Sequence, residues 1–155
     1  MREHASLGRI EVGQRVKVKG LAAADGILQA VEIEPREPKD KTVLEGVVRT
    51  IEVGERTLTL FGRCLRIPGS VAPLDAEGRS VPLAEVRTPA LMKIVGRCRE
   101  REELTVESLE IKKTLPFNIE KLQGHIAAID RARGTLRIAG VVVQVTPLTL
   151  VGRFA

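Results

Sequence analysis

The 155-residue chain contains no tryptophan and no tyrosine, and its aromatic side chains are Phe61, Phe117 and Phe154. Binders of single-stranded nucleic acid stack bases on aromatic rings, each worth roughly 1–3 kcal/mol, and carbohydrate sites use such faces too. Both classes lose weight. Histidine is as scarce, with His4 and His125 far apart, and the two cysteines, Cys64 and Cys98, belong to no CxxC or CxxH pair. A closed zinc site needs four clustered ligands, so neither zinc nor any other cofactor is expected. There is no P-loop, no GxGxxG and no GxSxG elbow around Ser6, Ser70, Ser80 or Ser108. No apolar run approaches the ~20 residues of a membrane span. The opening MREHASLGRIEVG has no apolar signal core.

What the chain does have is charge, glycine and alternation. Apolar residues make up 43%, enough for a buried core. Lysine and arginine number 25 against 20 aspartates and glutamates, a net charge of +5. That excess permits contact with polyanions. The two signs alternate along most of the chain, however, which is the pattern of a solvated surface.

The segment LEGVVRTIEVGERTLTLFGRCLRI (44–67) matches LQGHIAAIDRARGTLRIAGVVVQV (122–145) without a gap, 78 residues on. Leu44, Gly46, Ile51, Thr57, Leu58 and Gly62 fall on Leu122, Gly124, Ile129, Thr135, Leu136 and Gly140. Alternating apolar residues predict strands and the glycines predict turns, so each copy reads strand, turn, strand, turn, strand. A weaker pair is VGQRVKVKGLAAADGILQAVEIE (12–34) and PALMKIVGRCREREELTVESLEI (89–111). Here Val16, Gly20 and Leu28 fall on Met92, Gly96 and Leu104, an offset of 76. Each of these copies reads as a hairpin. With the first type called head and the second tail, the order is tail (8–35), head (42–68), connector (69–87), tail (88–113), head (120–150).

These motifs resemble a bacterial family of repeated modules, domain of unknown function 5666. Its heads have the form G-x-I…G-T-L-T-V-x-G-x-x-V and its tails the form V-G-x-x-V-x-V-x-G…D-G-x-L-x-A-x-x-I. The resemblance covers most of the chain outside 69–87. It implies small OB-like barrels and an exported or periplasmic setting, and it brings no catalytic residue with it. The chain departs from the pattern in two ways. The D-G turn survives at Asp25-Gly26 but is replaced by REREEL (99–104) in the second tail, and a tail comes first, so the order is permuted.

The fold expected is therefore all-β, with two small OB-like barrels built from internal repeats. One spans 42–113. The other joins 8–35 to 120–150, closed by the two chain termini, because a lone three-strand head would leave open edges and bury too little. The competing outcome is head-to-tail self-association, in which the C-terminal head of one chain takes the N-terminal tail of the next.

The candidate polyanion or partner surface is Arg97, Arg99, Arg101, Arg131, Arg133 and Arg137. Strand alternation puts the first three on one face, and Arg131 and Arg133 in a turn. The plainer reading is that charges on exposed strands block unwanted pairing. Glu100, Glu102 and Glu103 belong to a solvated hairpin tip, not to a catalytic pair. By parity Cys64 points outward and Cys98 inward, which disfavours a disulfide, and His125 is a surface residue. The function expected is non-catalytic. The chain would be a binding or assembly module presenting loops or strand edges, above all 69–87 and 97–103, to a protein, polysaccharide or envelope partner. The alternative is a nucleic-acid-binding OB protein working through arginine–phosphate contacts.

Overall fold

The computed structural model describes residues 7, 9–99, 102–112 and 119–152. Among them the chain is all-β, as the alternation predicts, and no helix is long and apolar enough to cross a membrane. The strands are β1 (Arg15–Ala22), β2 (Leu28–Arg36), β3 (Thr42–Val48), β4 (Thr50–Glu52), β5 (Thr57–Leu60), β6 (Arg63–Arg66), β7 (Ala90–Cys98), β8 (Leu104–Ile111), β9 (Glu120–Asp130), β10 (Thr135–Ile138), β11 (Val141–Gln144) and β12 (Leu150–Val151).

Five strands close a barrel in the order β1-β2-β11-β10-β9 and back to β1. All of its ladders are antiparallel except the β11–β2 seam, where Val143 and Gln144 pair with Leu28 and Gln29. Closure follows from the side-chain period of two. Val16 and Val18, Leu28 and Ala30, Leu122 and Ile126, Leu136 and Ile138, and Val141 and Val143 all point inward and are buried. The polar residues between them face out.

The remaining strands extend and flank this ring. β3 pairs with β9 on the side away from β1, with Leu44 opposite Leu122, and β7 and β8 follow in the same sheet. β4, β5 and β6 form a separate three-stranded sheet. The central strands do not form a hydrogen-bonded ring, because no ladder joins β6 to β8. Leu74 of the connector makes an isolated parallel bridge to β8 at Glu110. Its N–H donates to Leu109 O at 2.9 Å, and its carbonyl accepts from Ile111 N at 2.8 Å. The connector carries a single 3-10 turn, Leu83–Glu85, and Leu83 is buried. One continuous hydrophobic core runs through both sets of strands.

Two hairpin loops have both central residues at positive φ, Phe61-Gly62 (52° and 72°) and Ala139-Gly140 (52° and 77°). This is the primed geometry that matches strand twist.

Candidate functional site

The arginines singled out in the sequence have near neighbours. Arg97 leaves β7 between Asp40 (3.5 Å) and Glu107 (3.2 Å). Arg99 lies past the end of β7, in the tip, where its backbone N–H donates to Glu103 O at 2.9 Å. Arg101 lies outside the described residues. Arg131 donates to Leu7 O and to Ile10 O, holding the N-terminal turn against the barrel. Arg133 faces Asp130 at 3.8 Å, and Arg137 donates to Glu102 Oε2 at 2.7 Å. The other Glu102 oxygen accepts from Gly140 N at 3.1 Å. Glu102 is thereby docked on β10 and the β10–β11 turn. The start of the connector is pinned as well, since the Arg56 guanidinium donates to the carbonyls of Ile67, Pro68 and Val71.

Arg133 and Arg137 do come together at one place. They line a groove of about 430 Å³ on the outer face of β9, β10 and β11, beside Ile27, Ile129 and Val142. The Arg133 side chain is 83% exposed, and its 3.8 Å ion pair is of the kind that adds little.

A larger cavity, about 600 Å³, lies where the β1–β2 turn meets the Phe61-Gly62 turn, with Arg49, Thr59 and Glu120 on its walls. The turns approach so closely that a Cβ on Gly26 (φ +89°) would sit 2.5 Å from the Gly62 backbone. Glu120 is buried at the start of β9. Its Oε2 accepts from Val47 N at 3.2 Å, and its carboxylate also accepts from the backbone N–H of Ala22. The side chain thus bridges β3 and β1 just where β9 no longer runs between them. Gly46 makes the room, because a Cβ there would lie 2.3 Å from Glu120 Oε2. Burial pushes the Glu120 carboxyl above the ordinary 4.5, against the opposing pull of the two backbone N–H groups and of Arg49.

A carboxyl whose folded pKa is raised binds its proton more tightly folded than unfolded. Its contribution to stability is therefore greatest in acid. That contribution is lost as pH climbs from about 4.5 through the folded value, and it levels off above. Urea unfolding of Glu120→Gln and wild type at pH 4.5 to 8 tests this. Relative to wild type, the variant should gain stability as pH rises, and a constant difference would refute the assignment.

Sequence reasoning passed over Glu120, yet a signal was there. It shares parity with Leu122 and Ile126, so alternation alone points this carboxylate inward. The lysines of the sheet's outer face were passed over too. Lys17 is held below its ordinary value by burial first and then by Lys121, Lys19 and Arg36. Cys98 is half-buried and Cys64 exposed, and both are free thiols. Among the described residues no group of three or more His, Cys, Asp or Glu side chains could hold a metal ion.

A family model described as domain of unknown function (DUF5666) matches residues 1–34, which include β1 and most of β2. No curated protein and no solved structure matches the chain.

Proposed function

We propose that the protein is a non-catalytic binding module of two similar small barrels, and that it engages a protein partner through the outer face of β10–β11. The two-barrel reading is supported by single contacts that recur at the repeat offsets. Gly152 N donates to Ile33 O at 2.7 Å, and Leu74 N donates to Leu109 O at 2.9 Å. Val145 N donates to Gly134 O at 2.8 Å, and Ile67 N donates to Arg56 O at 2.7 Å. On this reading 42–113 is the second barrel, with the connector in place of the β6–β8 seam.

The groove carries the binding reading. It sets two arginines beside the exposed Val142 of β11 and the half-buried Ile27 and Ile129. β10–β11 hold the position of the second and third strands of a five-stranded Greek-key barrel, a face that serves as a ligand surface in such barrels, for oligonucleotides and oligosaccharides in the OB-fold. Selection of a random twelve-residue phage-displayed peptide library on the immobilised chain tests it. Enriched sequences should bind, and Arg133→Ser with Arg137→Ser should weaken them about tenfold or more. Failure to enrich any sequence sinks the reading.

The second reading, nucleic-acid binding, is favoured by the crowding of Lys17, Lys19, Lys121 and Arg36 on the outer face of β1, β2 and β9. Titration with a thirty-residue oligothymidylate at about 50 and 200 mM salt separates the two. Phosphate neutralisation by several lysines gives binding that collapses over this range. The protein-partner reading expects no tight binding at either salt.

A further inference from the structure

The two halves provide an internal comparison that locates a second, aliphatic part of the binding surface. Val31, Val142, Leu148 and Leu150 are exposed aliphatic side chains, at 46%, 36%, 88% and 65%. Their positions follow from the pairing around β2. β11 and β12 run parallel to the same edge of β2, with Gln144 beside Gln29 and Leu150 beside Glu32. Val142 faces outward two residues before Gln144 on β11. Val31 faces outward on β2 next to Glu32, and 146–149 bridge the interval between β11 and β12. From the level of residue 27 to that of residue 32 along β2 is about 17 Å, the reach of about five residues of extended chain. The four side chains therefore form a stripe along the β11–β2–β12 face.

At the repeat offsets of 78 and 76 the same four places in the central half hold Cys64, Ser70, Ala72 and Glu107. All four are exposed there. The positions are comparable because the chain on either side makes the same bonds, Gly152 N to Ile33 O in one half and Leu74 N to Leu109 O in the other. The fold thus accepts small or polar residues at these places, and four aliphatic side chains in one half are not required to build it. Exposed apolar stripes of this kind mark contact sites.

We infer that this stripe, together with the Arg133–Arg137 groove it borders at Val142, is the docking site for one short extended segment of a protein partner carrying aliphatic and acidic side chains. The inference rests on the binding reading above and names the partner's chemistry. Two observations fix the occupant. Four side chains offer far less than the roughly 800 Å² per partner that two folded proteins bury in stable association, so a short segment suits the stripe better than a second folded copy. Arg133 at its β11 end, 83% exposed and held among the described residues only by the 3.8 Å pair with Asp130, complements negative charge, whereas Arg137 is already paired with Glu102. Thr149 gives the stripe a firm base, since its buried hydroxyl donates to Ala30 O at 2.7 Å and braces the loop that carries Leu148 and Leu150.

The experiment uses the whole chain and the phage-selected peptides. The variant replaces three stripe residues with their counterparts from the central half, Val31→Glu, Leu148→Ser and Leu150→Ala. Because those residues are already tolerated at equivalent exposed places, the melting temperature should stay close to wild type. The selected peptides should be rich in Asp or Glu and in Leu, Ile or Val. Their affinity, read by fluorescence polarisation, should fall about tenfold or more in the variant. Peptides that bind wild type and variant equally, but lose affinity in the Arg133→Ser, Arg137→Ser protein, would overturn the stripe and leave the groove standing. Failure to enrich any peptide would remove both. A wild-type dimer in sedimentation that the triple variant abolishes would overturn the inference in favour of a second copy. If the variant melts much lower, Leu148→Ser alone, at the most exposed position, supplies the same readout.

Discussion

Gly20→Ala and Gly96→Ala should each lower the stability of the chain by about 3 kcal/mol or more, near the top of the range for overpacking. Both glycines sit at β-bulges, where the β1–β2 register shifts between Lys19 and Gly20 and the β7–β8 register shifts between Val95 and Gly96. A Cβ on Gly20 would lie 2.2 Å from Gln29 O, and one on Gly96 would lie 2.1 Å from Thr105 O. The obstacle in each case is the carbonyl of the paired strand, so no side-chain rotation can relieve it. The strand has to move, and with it the ladder that the bulge bends. Gly54→Ala is the control, because nothing lies within 4 Å of its added methyl, and its effect should stay within about 0.5 kcal/mol. Equilibrium urea unfolding of the three variants decides the matter. A loss below about 1 kcal/mol at Gly20 or Gly96 would show that the close approach is not rigid.

Leu44→Ala and Leu122→Ala should each cost about 2–5 kcal/mol, the range for a buried leucine whose site collapses only partly. Both side chains are fully or almost fully buried. They are also opposite each other in the β3–β9 ladder, which carries the sheet from the closed ring into the central strands. Side chains opposed in this way are in contact, so the two losses should not add. The double variant should depart from the sum by more than about 0.5 kcal/mol, whereas separated sites add within that margin. Leu58 and Leu136 sit in different sheets, and their alanine variants should combine additively. A single unfolding transition shared by all probes is expected, since one core spans both sets of strands. Two separate transitions would count against that.

Much of the fold was legible in single residues. Alternation in TLTLFG and TLRIAG marks short strands with Leu58, Leu60, Leu136 and Ile138 inward, and all four are buried. The Gly after each stretch marks the turn, where both central residues take positive φ. These signals are local. A period of two and a glycine need no knowledge of the rest of the chain, and together they determine an all-β protein with hairpins at the places observed. The candidate site was less legible. Arginine spacing said nothing about acceptors, and Arg131 proves to hold the carbonyls of Leu7 and Ile10, more than a hundred residues away.

Sequence by itself determined the class, the strands and the inward-facing residues, because each depends on neighbours two or three positions away. Only the tertiary structure decided which edges meet. In the structure β1 pairs with β9, and β2 with β11, of the same chain. Tertiary structure also decided that Glu120 bridges β1 and β3, that no ladder joins β6 to β8, and that four aliphatic residues from β2, β11, β12 and the loop before β12 are left exposed. The reason is physical. Backbone N–H and C=O groups are the same on every strand, so a strand carries no label for its partner. The choice falls to whatever packing satisfies all the edges and buries all the inward residues at once, and that is a property of the whole chain.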